Sequence, residues 1–224
     1  KKKLGIEIKY VPSESWNTLV ELLDVQQIDI LPNMSPTPER SKKFNFSERY
    51  LYFPPVVITR KNFRKIKGLR DLSHNTIGVV RGYAEHEILK VSFPNYKLVS
   101  YSSALEKYKA VSTGKIDAAL GSIPGVGYQA KKHALENLKI AAQSESNTSG
   151  SSAMGIRKDW PVFVSILNKT LASLTNDEIE NIKNKWNYNK VIPNDIDVPS
   201  DKQASIELTS EEKEWIANNP SIRV

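Results

Sequence analysis

Two stretches of this chain follow one plan. "SWNTLVELLDVQQIDI" (Ser15 to Ile30) and "SALEKYKAVSTGKIDA" (Ser103 to Ala118) each open on a serine, run through apolar positions at helical spacing, break, and pass through Ile-Asp into a strand. They lie 88 positions apart. In the first, Leu19, Leu22 and Leu23 share a helical face; in the second, Leu105, Tyr108 and Val111 or Ala110 do. Two helix-to-strand units of one design predict two α/β lobes rather than one continuous sheet.

Other segments fill those lobes. "PPVVITRK", "NTIGVVRG" and "YKLVSY" read as strands, and "AEHEILKVSF" as a helix after Gly82. "DWPVFVSILNKTLASL" reads as a helix with Asp159 as N-cap and Pro161 in its first turn, and "NDEIENIKNKW" as the next helix. Beyond Trp186 the polar "NYNKVIPNDIDVPSDKQAS" reads as a linker. The closing "LTSEEKEWIANNPSIRV" reads as a short helix capped by Thr209 or Ser210 and stopped by Pro220, followed by a short apolar end.

Composition removes several classes of function. At 224 residues and 39% hydrophobic, the chain can bury a core of its own. No run of about 18 apolar residues exists, so no membrane insertion by this segment is expected. The opening "KKKLGIEIKY" lacks the apolar stretch of a signal peptide, so an export signal or anchor is expected outside this chain. Cysteine is absent, which removes disulfides, thiolate nucleophiles and Cys-based zinc sites and fits an extracytoplasmic compartment. The net charge of +7 comes from Lys and Arg scattered among 25 acids. That pattern predicts a solvated basic surface and no nucleic-acid partner. His74, His86 and His133 lie far apart without partners at metal-ligand spacing, so they read as surface or loop histidines; neither metal nor other cofactor is expected. No nucleophile-elbow motif is present.

The chemistry gathers in two places. "MSPTPER" puts Ser35, Thr37 and Arg40 on one turn directly after the apolar "IDIL", and two hydroxyls with a guanidinium favour an anion. "VVRGYAE" sets Gly82 between a strand and a helix N-terminus, whose backbone N–H groups also favour an anion. The plain alternatives are a surface ion pair of Arg40 with Glu39 or Glu48, a core role for Trp16, and an ordinary strand-to-helix turn at Gly82.

Taken together, the apolar strand, Ser-x-Thr-x-Glu-Arg, Phe-x-Phe-Ser-x-x-Tyr and the β-run ending in Arg-Lys resemble the family 3 periplasmic solute-binding proteins, which have a Venus flytrap fold. The likeness runs from about Gly5 to Trp186 and takes in "GVVRGYAEHEIL", "ALEKYKAVSTGKIDAALG" and "GIRKDWPVFVSILNKTL". "DILPNMSPTPER", "KKHALENLKIAA" and the closing "LTSEEKEWIANNPSIRV" are most similar to the periplasmic sensor modules of BvgS-type hybrid histidine kinases, where the last motif joins one module to the next.

The resemblance implies an α/β, two-lobed periplasmic-binding-protein type 2 fold without the family's usual first strand and helix. Lobe one is expected at 1–60 plus 156–187, lobe two at 61–155, a linker at 188–207, and the start of a following module at 208–224, with hinge crossovers near Arg60 and at Ala153 to Gly155. It also implies that Arg40 grips a ligand carboxylate with Ser35 and Thr37 beside it, that Trp16, Asn33 and Met34 line the same wall, and that Val80, Arg81, Tyr83 and Ala84 form the amide-bearing turn of the second lobe. Ser122 stands where amino-acid binders place the aspartate that holds the ligand ammonium. The approach from Asp29 to Asn33 is one residue shorter than in those binders.

The expected function is non-enzymatic sensing of a small anionic metabolite between the lobes, in the periplasm, on behalf of a membrane histidine kinase; the alternative is a solute-binding protein of an ABC transporter. Expected partners are the ligand and other modules of the same sensor. Ile222 to Val224 is expected to pair with a lobe-one strand, in its own molecule or by strand exchange within a homodimer.

Overall fold

A computed structural model describes residues 3–13, 15–144, 151–185 and 206–224. In chain order the elements are β1 (Glu7–Lys9), α1 (Trp16–Asp24), β2 (Ile30–Met34), α2 (Pro38–Lys43), β3 (Phe44–Phe46), β4 (Leu51–Tyr52), β5 (Pro55–Arg60), β6 (Thr76–Val80) and α3 (Ala84–Ser92). They continue with β7 (Lys97–Tyr101), α4 (Ala104–Ser112), β8 (Ala118–Ser122), α5 (Ile123–Lys132), β9 (Leu138–Gln143), β10 (Ser151–Arg157), α6 (Pro161–Ala172), α7 (Asn176–Lys185), α8 (Ser210–Asn218) and β11 (Ser221–Arg223). The chain divides into two compact units, Lys1–Leu51 with Ser152–Val224, and Tyr52–Ser151.

The second unit is built on a five-stranded sheet of order β7-β6-β8-β5-β9. β6 runs parallel to β7 and β8, while β5 is antiparallel to β8 and β9 along its length. Alternation sorts its side chains onto two faces. Val57, Ile77, Val79, Ala118 and Leu120 meet Leu69, Leu72 and Leu89 on one face. Val56, Ile58 and Ala119 meet Tyr108, Ala110, Val111 and Val126 of α4 and α5 on the other. Leu105, expected on the inner face of α4, is only half-buried; Lys107 is enclosed in that face instead.

In the first unit β10 runs antiparallel to both β2 and β3. Its Gly155 passes so close to Met34 that a Cβ there would lie 2.7 Å from the Met34 sulfur. Leu23, Ile28, Leu31, Met34 and Phe44 form one cluster; Ile6, Ile30, Ile156, Phe163, Ile166 and Ile222 form the other. The last of these comes from the end of the chain. β11 pairs in parallel with β1, with Ile222 opposite Ile8, and the N–H of Asp29 donates to the Arg223 carbonyl at 2.9 Å. The expected pairing of the C-terminal strand therefore forms within the chain itself.

Two charged residues hold that strand and the helix before it. Asp29, 2% exposed, accepts from the Arg223 backbone N–H at 2.7 Å, from Arg223 Nε at 2.9 Å and from Arg157 Nη1 at 3.1 Å. Glu212, 3% exposed, accepts from Ser165 and Lys169, each at 2.7 Å. Glu212 also closes a capping box with Thr209, which settles the N-cap on Thr209 rather than Ser210.

Some expectations need correction. Asp159 does not cap α6; its N-cap is Trp160. The Asp159 carboxylate instead takes both Nε and Nη2 of Arg157, at 2.9 and 2.6 Å, and a charge-assisted pair outcompetes a single cap bond. Ser15 occupies the N-cap of α1 without a side-chain bond, whereas Ser103 caps α4 through the Glu106 N–H. Most of the expected linker, and Trp186, lie outside the described residues.

Burial opposes ionisation of Glu212, but the bonds from Lys169, Ser165 and the Thr209 amide outweigh it and hold the carboxyl at about 2, below its ordinary 4.5. Asp29 is lowered in the same way: burial is overcome chiefly by Arg223 and then by Arg157. A carboxyl whose folded pKa is depressed adds stability above its unfolded pKa and loses that contribution as pH falls toward the folded one. Amide protection of α8 and β11 is therefore expected to hold from neutral pH down to about 4.5 and to fall between there and about 2. Hydrogen exchange across a pH series checks this. Equal pH dependence in wild type and Glu212→Gln would exclude Glu212 as the cause.

Candidate functional site

In the first unit the candidate site grows out of the end of β2. The strand stops at Met34, and Ser35, Pro36 and Thr37 turn the chain into α2. Thr37 is the N-cap, its hydroxyl accepting the Arg40 N–H at 3.3 Å, and Pro38 stands at the first helical position. This short turn draws Arg40 inward, to 6% exposure. Its Nη1 donates to the Ser35 carbonyl at 2.9 Å, and its guanidinium carbon lies 5.6 Å from the centroid of the Trp16 ring at the start of α1. The strand end, the cap and an aromatic face thus orient one planar cation. Glu39 pairs with Lys42 on the surface at 2.6 Å. A guanidinium presents five N–H donors in a fixed fork, and a carboxylate matches two of them side by side.

The other residues expected here divide by exposure. Asn33 is exposed on β2, and Ser35 and Trp16 are half-buried. Met34 is expected on the wall but is fully enclosed, packed with Leu23, Ile28, Leu31 and Phe44. It supports the wall from behind, enclosed against Leu31 of its own strand and Gly155 of β10.

In the second unit β6 ends at Val80, Arg81 and Gly82 turn, and α3 begins at Ala84 after Tyr83. Gly82 has φ +79°, which an unbranched backbone without Cβ adopts freely. Val80 is enclosed at 1% exposure, while the Arg81 side chain is exposed. The amides of this turn are partly spent. The Arg81 N–H donates to the Tyr101 carbonyl at 3.0 Å and the Tyr83 N–H to the Val80 carbonyl at 3.1 Å. Of the four residues expected in this turn, Ala84 has its N–H at the first helical position, where the helix offers no acceptor. Ser122 is half-buried and caps α5, its hydroxyl accepting the Gly125 N–H at 3.3 Å.

A neighbouring pair escapes sequence reading. Glu85, in the first turn of α3, bonds Lys107 Nζ at 2.6 Å, and Lys107, 1% exposed, also donates to the Leu120 carbonyl. Glu85 puts a negative charge at the helix start, and Lys107 neutralises it from beneath. Tyr83 and Tyr108 both have phenols pushed up, first by burial and then by Glu85. The available signal was a lysine at helical spacing on the apolar face of α4, a position ordinarily read as solvated. His86 is a further correction: it is buried on α3 with Nε2 3.3 Å from Ser100 Oγ, not on the surface. Burial lowers its pKa, with Lys90 adding to the effect.

Comparison with known proteins bears on this geometry. The chain is 31% identical over 190 residues to the arginine-binding extracellular protein ArtP of Bacillus subtilis, covering 83% of this chain and 72% of that protein. It is 23% identical over 184 residues to the virulence sensor protein BvgS of Bordetella bronchiseptica, covering 82% of this chain but 15% of the length of BvgS. Among solved structures, the periplasmic VFT2 domain of Bordetella pertussis BvgS superposes with a TM-score of 0.67 at 23% identity, covering 78% of this chain and 74% of that one. The profile of the bacterial extracellular solute-binding proteins, family 3, matches residues 1–189. The chain belongs to that family and has its Venus flytrap fold.

Proposed function

We propose that this chain is an extracytoplasmic sensing module, in which a small anionic metabolite, a carboxylate or an amino-acid-like compound, binds at the Arg40 turn and its occupancy is passed to a membrane histidine kinase of a two-component phosphorelay. The observation that carries this reading is Arg40 itself, drawn beneath the surface at the end of β2 and oriented by Ser35, Thr37 and Trp16. A cation already fixed in place gives up little further freedom when it pairs with a carboxylate. Trp16, Asn33, Ser35, Thr37 and Arg40 of the first unit, and Arg81, Tyr83, Ala84 and Ser122 of the second, make up the proposed ligand-binding set, with Met34 and Val80 behind them. The sensor context and the periplasmic location rest on the likeness to BvgS.

One observation favours a second reading. The match to ArtP extends over 72% of that arginine-binding protein, which suits a solute-binding protein of an ABC transporter for amino acids or organic acids. Both readings make the domain a binder. Hydroxyls and a guanidinium supply no general base near neutral pH, which argues against catalysis at this turn.

Arg40→Ala is expected to weaken a bound carboxylate by about 2–5 kcal/mol, because a desolvated charge pair loses one partner. A thermal-shift panel of simple organic acids and free amino acids selects the probe, and calorimetry on the best of them measures the loss. Unchanged affinity would remove Arg40 from the site.

Ser122→Asp provides the complementary test. Asp caps helices as well as Ser, so α5 should keep its N-terminus. The added carboxylate is expected to shift preference from simple carboxylates toward the matching α-amino acids by about 1–3 kcal/mol, the scale of an unsatisfied buried polar group. No shift in the same panel would place Ser122 outside the ligand's reach.

A further inference from the structure

The second unit collects its positive charge at one end of its sheet. Arg60, Thr76, Lys97, Ala118 and Leu138 stand within one residue of a common level. β5 ends at this level and β6, β7, β8 and β9 begin there, so the connections 61–75, 93–96, 113–117 and 133–137 all cross it. With the element ends that flank them, residues 60–75, 90–97, 109–117 and 131–139 hold 13 lysines and arginines against 3 acids, a net +10 where the whole chain is +7. The rest of this unit holds 2 cations and 4 acids. Cations that are scattered along the sequence are therefore gathered by the fold. Part of the cause is local: α3, α4 and α5 all end here, and Lys90, Lys109, Lys131 and Lys132 sit in their last turns, where the helix dipole favours a cation.

The connections are tied into one platform. Arg60 Nη1 donates to the carbonyls of Val111 and Ile116, each at 2.8 Å, and Lys139 Nζ to those of Lys61 and Phe63 at 3.0 and 2.8 Å. The Lys61 N–H donates to the Asn137 carbonyl at 2.7 Å, and the Asn137 side chain exchanges bonds of 2.7 and 2.9 Å with Ser112. Phe63, Phe93 and Tyr96 root the longer connections on the core beneath. Two of the three acids serve backbone amides: Asp71 accepts the Lys67 N–H at 2.7 Å and Asp117 the Thr76 N–H at 2.8 Å. Of the 13 cations, 11 are exposed, among them Lys61, Arg64, Lys65, Lys67 and Arg70 of the first connection. The Arg81 to Ala84 turn and Ser122 lie at the opposite end of the same sheet, about 17 Å away for a five-residue strand.

We propose that this basic end of the second unit is a peripheral docking surface for an anionic phospholipid membrane, apart from the ligand-binding residues and without insertion of any segment. Ten of the 13 cations are lysines, compact charges on flexible stems that come from four separate connections. Such charges fit phosphates that rearrange laterally in a bilayer, whereas a partner of fixed shape is better held by the bidentate forks of arginine. Each lysine or arginine brought to an anionic surface strengthens binding about fivefold, so a few of these 11 exposed cations acting together suffice. Among the described residues no helix is long and apolar enough to cross the bilayer, so the contact is electrostatic and reversible.

The test sediments the full chain with phosphatidylcholine vesicles prepared with and without phosphatidylglycerol, at low and at high salt. Binding is expected to require phosphatidylglycerol and to be lost at high salt. Lys65→Glu with Lys67→Glu, and separately Lys131→Glu with Lys132→Glu, should each lower the partition coefficient at least about tenfold, because two attractions become repulsions. Lys185→Glu with Lys213→Glu makes the same charge change at exposed positions of α7 and α8 in the first unit and should lower it less than about twofold. All of these side chains are exposed, so the fold should tolerate each pair. Three results overturn the proposal: no binding to the anionic vesicles, an equal loss from the first-unit pair, or displacement from the vesicles by polyglutamate or duplex DNA at an equal concentration of negative charge.

Discussion

The first unit depends on one carboxylate. Asp29 joins three strands at a point: its side chain holds the backbone and guanidinium of Arg223 at the end of β11 and Nη1 of Arg157 on β10, and its own residue leads into β2. Its carbonyl accepts the Arg157 N–H at 3.2 Å, so both backbone groups are committed as well. Buried ion pairs are poor evidence for stability, because desolvation cancels much of the attraction. What Asp29 contributes more securely is register. A one-residue slip of β11 would turn Ile222 out of the core and leave an enclosed carboxylate without donors, so only one alignment satisfies both.

The equivalent residue in the second unit does the same work with less. Asp117 meets the N–H and the hydroxyl of Thr76, at 2.8 and 2.9 Å, without a cation on the strand it holds. The difference follows from chain distance. β6 precedes β7 and β8 closely, so little loop entropy opposes its docking, whereas β11 arrives from the far end of the sequence and closes a much longer loop. The first unit compensates with a second anchor, the helix α8, whose Glu212 and Trp215 bind α6 independently of the strand.

Much of this was legible from residues alone. Helical periodicity located α1 and α4, which bury one face each, and runs of β-branched residues located β5 and β6, which are buried on both faces. The repeat at Ser15 and Ser103 foretold two units, and an apolar tail foretold a strand. The misses share a cause. Asp159 reads as a cap by position, but Arg157 two residues earlier captures it. The amides of Arg81 and Tyr83 read as an anion nest, but Tyr101 and Val80 already accept them. Lys107 drew no reading from the sequence at all, yet Glu85 and the Leu120 carbonyl hold it inside. In each case a polar group chose between two partners, and that choice is made by tertiary geometry, which periodicity does not encode.

β2 connects the two parts of the first unit that carry chemistry. Asp29 and the tail lie at its start, and Ser35, whose carbonyl holds Arg40, lies just past its end. The strand between them is five residues long and pinned by β10 on one edge, with Met34 locked against Gly155. Buried at Ile30, Leu31 and Met34, so short a strand has little room to flex along its length. On the proposed function, a ligand at the Ser35–Arg40 turn would act on the same strand whose start is fixed at Asp29. The link has a thermodynamic limit. It carries only the difference between the ligand's affinities for two arrangements of that strand, and a ligand indifferent to them shifts nothing.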